Sequence, residues 1–260
     1  MATKATTPKP AAKAAKTDVA VRKPSTGAIV SIKDALKAQA AAIGERTQPA
    51  SGNRIRTKGK NFILPDGSEA ASLDVIIVDF TTTHKFYEGN YDPKNIVPPG
   101  CFAIGTNPRQ MTPSDDSPNK QADSCQGCPM NEFGSAGNGK ACKNGRLLAV
   151  LPPDADKDSE LWTLEVSPTA IKGFDGYVAS VARQFGMPPV SVITTVSLDD
   201  AVDYAKVVFS NPVPNERLEI AYARQGEAQE LLAVEPDVSG YKPHAPAGRP
   251  AAKKAAPARR

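Results

Sequence analysis

The sequence has little of what enzyme active sites are commonly built from. Its 260 residues include only two histidines, His84 and His244, and a single tryptophan. No Ser, His and acid set stands out, and two imidazoles leave little for general acid–base catalysis. We therefore expect a protein without enzymatic activity.

Long apolar segments are also missing. No run approaches the roughly 20 residues of a membrane span, and the first residues, rich in Ala, Lys, Thr and Pro, hold no apolar core of a secretory signal. We expect a protein of the cytoplasm with no membrane partner. In that reducing compartment, four cysteines favour metal binding over a disulfide framework.

Acidic residues are nearly absent from both ends of the chain. Residues 1–60 hold 13 Lys and Arg against 3 acids, and residues 241–260 hold 6 basic residues and no acid. Residues 61–240, in contrast, hold 13 basic and 25 acidic residues. The ends are rich in Ala, Lys and Pro, a composition typical of disorder. We predict a basic, mostly disordered arm over 1–60, a folded domain over 61–238 and a disordered basic tail over 239–260.

The apolar pattern predicts a domain that is mainly β with some helix. We predict a short helix at 29–43, strands at 73–80, 146–151, 161–166, 190–198 and 204–210, and helices at 171–185 and 216–232. One helix thus falls between the third and fourth strands, as in a barrel of the OB type. We predict an OB-like five-stranded barrel, with a generic α+β sheet as the alternative.

A long loop over 81–145 lacks apolar periodicity and is longer than ordinary loops. It contains all four cysteines: Cys101, Cys125, Cys128 and Cys142. The two-residue spacing of Cys125 and Cys128 lets both thiolates face one ion. Because a bound metal stabilises a segment that lacks a core, we predict a structural Zn²⁺ held by the four cysteines. An iron–sulfur cluster also accepts four cysteines and is the alternative.

His84 lies in the same loop and is a second possibility as a ligand. It would replace one cysteine, although a lone histidine is more often an ordinary loop or surface residue.

The long loop also mixes aromatic and basic residues. Bases stack on aromatic faces while phosphates pair with cations, so this mixture is typical of single-stranded nucleic-acid binding. The candidate nucleic-acid-binding residues are Lys85, Phe86, Tyr87, Tyr91, Arg109, Phe133, Lys140, Lys143 and Arg146. The alternative is that the aromatic residues pack a small core around the metal.

Five segments resemble a family of tailed-phage single-stranded DNA-binding proteins. They are FYEGNYDP (86–93), PPGCF (98–102), CQGCPMNEFGS (125–135), GKAC (139–142) and RLLAV (146–150). The resemblance implies a role in phage DNA replication or recombination in the cytoplasm of a bacterial host. Its implied partners are single-stranded DNA and phage or host replication proteins, and its implied metal site is the four cysteines.

A second class of function suits the acidic body with basic ends. It is a zinc-stabilised protein-interaction module that acts on a replication or transcription protein of the phage or its host.

Overall fold

The computed structural model describes residues 52–89, 92 and 95–243, together with positions 35 and 39. The predictions for the rest of the basic arm and for the tail beyond residue 243 lie outside the described residues. The same holds for the helix predicted at 29–43, apart from Ala35 and Gln39, which are helical and exposed. Within the described ranges, no helix combines the length and apolarity that crossing a membrane requires.

The described part of the chain is mainly β with helices, which confirms the predicted class. Its strands are β1 (Arg54–Lys58), β2 (Asn61–Ile63), β3 (Glu69–Ala70), β4 (Ser72–Phe86), β5 (Cys101–Gly105), β6 (Cys142–Leu151), β7 (Trp162–Val166), β8 (Val192–Leu198) and β9 (Val207–Pro214). Its helices are α1 (Ile171–Phe185), α2 (Leu218–Ala223) and α3 (Gln225–Leu232). These nine strands form one mixed sheet that curls into a half-barrel, where the sequence predicted five strands.

Strand β4 runs through the middle of the sheet for 15 residues. It pairs with β6 from Ile76 to Phe86, with β8 along its first part and with β5 along its last part, always antiparallel. The prediction ended this strand at Phe80 and placed the threonines that follow in the long loop. The strand continues because β-branched threonine suits a pleated, half-buried surface, and Thr81, Thr82 and Thr83 are all buried.

Two strands that the sequence analysis missed lie within the predicted loop and the predicted arm. Strand β5 lies inside the predicted loop, and β1 lies inside the predicted arm, so the folded body begins earlier than residue 61. Both strands are short: β5 pairs antiparallel with β4, and β1 pairs antiparallel with β2 and parallel with β7.

The strands predicted at 146–151, 161–166, 190–198 and 204–210 are observed as β6, β7, β8 and β9, and the helix predicted at 171–185 is confirmed as α1. β6 pairs with β7 and β8 pairs with β9, in both cases antiparallel. Helix α1 buries Phe174, Tyr177 and Val181 on its inner face and ends at Gly186, whose φ of 66° is the left-handed conformation that glycine adopts easily. The second predicted helix is instead two short ones, separated at Arg224.

The inner face of the curled sheet packs against α1. This core contains Phe62 from β2 and Phe209 from β9, so strands from opposite ends of the sheet meet around one helix. Polar contacts also join these two parts of the curled sheet. Lys60 Nζ, just before β2, donates hydrogen bonds to the carbonyl oxygens of Asp199 and Val202, which follow β8. The outer face carries a second core, where Ala221, Ala228 and Leu232 of α2 and α3 are buried.

Truncating Phe174 should destabilise the domain severely. Its ring is fully buried and lies 5.0 Å from the rings of both Phe80 and Phe209. Phe174→Ala should lower the free energy of unfolding by about 3–5 kcal/mol, because the cavity it leaves cannot collapse fully. The measurement is urea unfolding. Tyr222→Ala, at a helical site that is 65% exposed, is the control and should change it by less than about 0.5 kcal/mol; equal losses would contradict this packing.

Candidate metal centre and nucleic-acid surface

Three adjacent strands bring two of the cysteines and one histidine to the same face of the sheet. Cys101 on β5 and Cys142 on β6 both lie opposite Phe86 on β4. Residues opposite one another in register share a face, and so do residues two apart along a strand. His84, two residues before Phe86 on β4, therefore lies on this face as well.

The other two cysteines lie on the loop between β5 and β6. Gly127, with φ of 77°, permits the tight turn between Cys125 and Cys128. The backbone N–H of Cys125 donates to the carbonyl of Met111 at 3.0 Å, and its side chain packs with Met111 and Ala103 of β5. The turn is thereby held against the sheet.

All four cysteines and His84 line one small cavity of about 20 Å³. That is little more than the space needed for one water molecule. Cys101, Cys125 and Cys128 are buried, Cys142 is half-buried, and all four are free thiols. The fold therefore gathers four sulfur atoms from three separate parts of the chain around a space that suits a single ion.

The cysteines influence one another electrostatically. Burial, with the nearby Cys101 and Cys128, raises the pKa of the Cys125 thiol to about 11. Burial, with the other three cysteines, raises the pKa of Cys142 to about 12, although Lys140 opposes the shift. Thiolates so close together repel one another, and a divalent cation would remove that cost.

The donor set fits a thiolate-bound metal in number and chemistry. In residues 52–89, 92 and 95–243, however, no three His, Cys, Asp or Glu side chains are already arranged around a metal position. Strand β4 separates Cys101 from Cys142, which places their Cα atoms about 10 Å apart at two strand spacings. Coordination of one ion by both sulfurs would need β5 and β6 to move closer together here, in addition to rotation of the side chains toward the cavity.

His84 is neutral at pH 7. Burial, with smaller contributions from the charges of Lys140 and Arg146, lowers its pKa to about 4.

Asn131 connects the cysteine turn to strand β6. Its Nδ2 donates to the carbonyl of Cys125 at 2.9 Å, while its Oδ1 accepts from Lys140 Nζ at 3.2 Å and from Asn144 Nδ2 at 3.0 Å. Lys140, a candidate for nucleic-acid contact, is thus engaged in holding the loop that carries Cys125 and Cys128.

The structure separates the other candidate nucleic-acid residues into two groups. Phe86 lines the cysteine cavity, and Arg146 is 8% exposed with its guanidinium bonded to both carboxylate oxygens of Asp175. Arg146 is therefore paired within the fold, and Phe86, which is half-buried, lies beside the thiols. Tyr91 lies outside the described residues.

The remaining candidates reach the surface. Phe133 is 79% and Tyr87 40% exposed, and Lys143 and Arg109 are exposed. Lys85 is partly buried and bonds Glu165 at 3.1 Å. Tyr87 and Lys143 line a groove of about 610 Å³ that also contains Ile96.

Sequence reasoning missed three basic residues on strand β1. By register through β7 and β6, Arg54 lies on the same outer face as Lys85 and Lys143, and Arg56 and Lys58 follow by strand alternation. The alternation Arg-Ile-Arg-Thr-Lys was the available signal, since only Ile55 within it is buried. Because this segment was assigned to a disordered arm, its three basic residues were not predicted to share one face of a strand.

The chain matches no family model, no curated protein and no solved structure. Its function is therefore argued from the site itself.

Removing the Asn131 side chain should loosen the cysteine turn. Asn131→Ala deletes one donor and one doubly used acceptor, so we expect a loss of about 1–3 kcal/mol in the free energy of unfolding. The matched control is Asn138→Ala, an exposed residue of the same loop. Thermal melting of both variants tests this; a melting temperature for Asn131→Ala equal to that of the control would rule the network out as a stabilising element.

Proposed function

We propose that this protein is a non-enzymatic single-stranded DNA-binding protein of phage DNA replication or recombination, stabilised by a structural zinc ion. The observation that carries the proposal is the convergence of four cysteines on one ion-sized cavity, on the opposite side of the sheet from a face that carries a group of cations. The resemblance to tailed-phage single-stranded DNA-binding proteins supports the same reading and suggests the cytoplasm of a bacterial host.

Zinc is proposed over an iron–sulfur cluster because the wide sequence separation of Cys101 from Cys125 does not match the usual cysteine spacings of iron–sulfur proteins, and four thiolates complete a closed tetrahedral zinc site. Cys101, Cys125, Cys128 and Cys142 would hold it. When bound, zinc supplies folding free energy to a loop whose own apolar cluster, within the described residues, is only Ala103, Met111 and Cys125.

The outer face of the sheet supports binding to a nucleic-acid backbone. Five basic side chains share it: Arg54, Arg56, Lys58, Lys85 and Lys143. Two acids offset part of this charge, because Glu165 pairs with Arg54 and Lys85, and Glu69 with Lys58. The remaining positive charge suits phosphates, which attract clustered Lys and Arg without regard to sequence.

The groove beside this face supports stacking of bases. Tyr87 and Lys143 line it together, an aromatic face next to a cation. Glu88 and Asp92 also line it, so phosphates would be placed on the basic face and bases in the groove. An OB-type barrel is not required for this arrangement and stays a prediction.

The basic ends of the chain would add contacts that do not depend on the fold. Their Lys and Arg residues attract phosphates through long-range charge alone.

A second candidate is a protein-interaction module, favoured by an acidic groove of about 380 Å³. Its lining includes Asp158, Glu160, Glu227 and Glu230, with Leu231 and with Arg224, which pairs with Glu227. A basic segment of a replication or transcription protein would complement it. Salt-sensitive binding to such a protein, without binding to DNA, would favour this function.

Replacing Cys128 should remove the metal and destabilise the domain. Cys128→Ser takes one thiolate from a closed site, so we expect loss of bound zinc and a lower melting temperature. Zinc content by mass spectrometry and thermal melting are the measurements, with the exposed neighbour Gln126→Ala as control. Full zinc content in Cys128→Ser would refute a structural site at these cysteines.

Binding to single-stranded DNA should depend on the outer face. In Arg56→Ala/Lys143→Ala, anisotropy of a labelled oligonucleotide should show weaker binding, with the salt slope reduced by about 2 because each lysine or arginine accounts for about one phosphate contact. Lys172→Ala, an exposed residue of helix α1 on the other side of the sheet, is the control. If all three proteins bind alike, the DNA surface lies elsewhere; if wild type does not bind, the interaction module is favoured.

A further inference from the structure

His84 occupies a defined place beside the cysteine cavity. It lies two residues before Phe86 on β4, and Cys101 and Cys142 lie on either side of Phe86 on the neighbouring strands. It shares their face of the sheet and lines the same cavity. Its position is therefore set by the three strands and not by a loop.

The imidazole lacks a partner that its burial calls for. His84 is 5% exposed, and its Nδ1 has no hydrogen bond within the described part of the chain. Buried polar side-chain atoms are normally hydrogen-bonded, so an unpaired one indicates a missing partner. Because His84 lines a cavity of thiols, we expect its hydrogen-bond partner to lie in that cavity.

Two acceptors compete for this nitrogen. One is Asn144 Oδ1, on the strand opposite His84, which is also buried and unpaired in the described residues. The other is a cysteine thiolate, once metal binding has removed its proton. Because a neutral imidazole carries only one N–H, it can satisfy one of them.

Charge decides between the two acceptors. Hydrogen bonds to an ionised acceptor are roughly twice as strong as those between neutral groups. The thiolate is therefore the favoured acceptor in the metal-bound protein.

We propose that His84 is a positioning residue of the metal centre, whose Nδ1–H donates a hydrogen bond to the thiolate of Cys101 or Cys142. The inference rests on the proposed zinc site. Four thiolates around one divalent ion leave a net charge of about −2 in a largely buried site, and an N–H directed at sulfur offsets part of it. Groups of this outer shell commonly change metal affinity by about 10- to 100-fold.

Two substitutions at His84 separate the hydrogen bond from packing. Asparagine keeps a nitrogen donor at the δ position, whereas valine removes the donor and suits a strand. Zinc affinity of the full chain is measured by competition with a chromophoric chelator at neutral pH. His84→Val should weaken zinc binding by about 10- to 100-fold, and His84→Asn should stay close to wild type.

Spectroscopy adds a signal that packing alone would not give. In cadmium-loaded protein, the Nδ1–H proton of His84 should show scalar coupling to the metal through the sulfur, and X-ray absorption of the zinc protein should show sulfur neighbours at about 2.3 Å. A nitrogen neighbour at about 2.0–2.1 Å that disappears in His84→Val would make His84 a ligand and overturn the outer-shell role.

The outcomes also distinguish this inference from the proposed function. Zinc-binding wild type with unchanged affinity in His84→Val, or with equal losses in both variants, overturns the role of His84 and leaves the zinc site standing. Wild type that retains no zinc shows that the proposed metal site itself is absent.

Discussion

The pairing of strand β4 with three other strands is the constraint on which the rest of the structure depends. Its 15 residues hold β6 along one edge and both β8 and β5 along the other. The part next to β8 forms the core against α1, and the part next to β5 supports the cysteine cavity. Because one continuous strand serves both regions, the cavity is fixed to the most strongly buried part of the domain, where Ile76 and Ile77 are almost completely inaccessible.

The two faces of the last part of β4 have different roles. His84 and Phe86 point toward the cavity, whereas Lys85 points to the outer face beside Lys143. This division follows from the alternation of side chains along a strand. The cysteine cavity and the cationic surface therefore share the same few residues of backbone.

The cysteine cavity combines burial with mutual repulsion. Buried thiols with raised pKa values are poor ligands while protonated, and they become good ligands only when a cation displaces their protons. The Asn131 hydrogen bonds hold the turn of Cys125 near the sheet without any metal. Metal binding would bring the sulfurs together around one ion. It would also provide a thiolate acceptor for the unpaired nitrogen of His84.

Local pattern was sufficient for the elements whose partners are close in sequence. The hairpins β6–β7 and β8–β9 and the helix α1 have strong apolar periodicity, and their neighbours follow within a few tens of residues. The spacing of Cys125 and Cys128, and the grouping of all four cysteines in one segment, likewise pointed to a common site from sequence alone. The cavity that they share is consistent with that grouping.

Tertiary structure decided what depends on distant pairing. Strand β1 pairs with the nearby β2 but joins the main sheet through β7, more than a hundred residues later, and β5 pairs with β4 across the intervening loop. Burial of Arg146 against Asp175, exposure of Arg56 and the position of His84 beside the thiols follow from register across the sheet. Sequence fixes which residues alternate, but only the assembled sheet fixes which strands lie side by side, and hence which side chains meet.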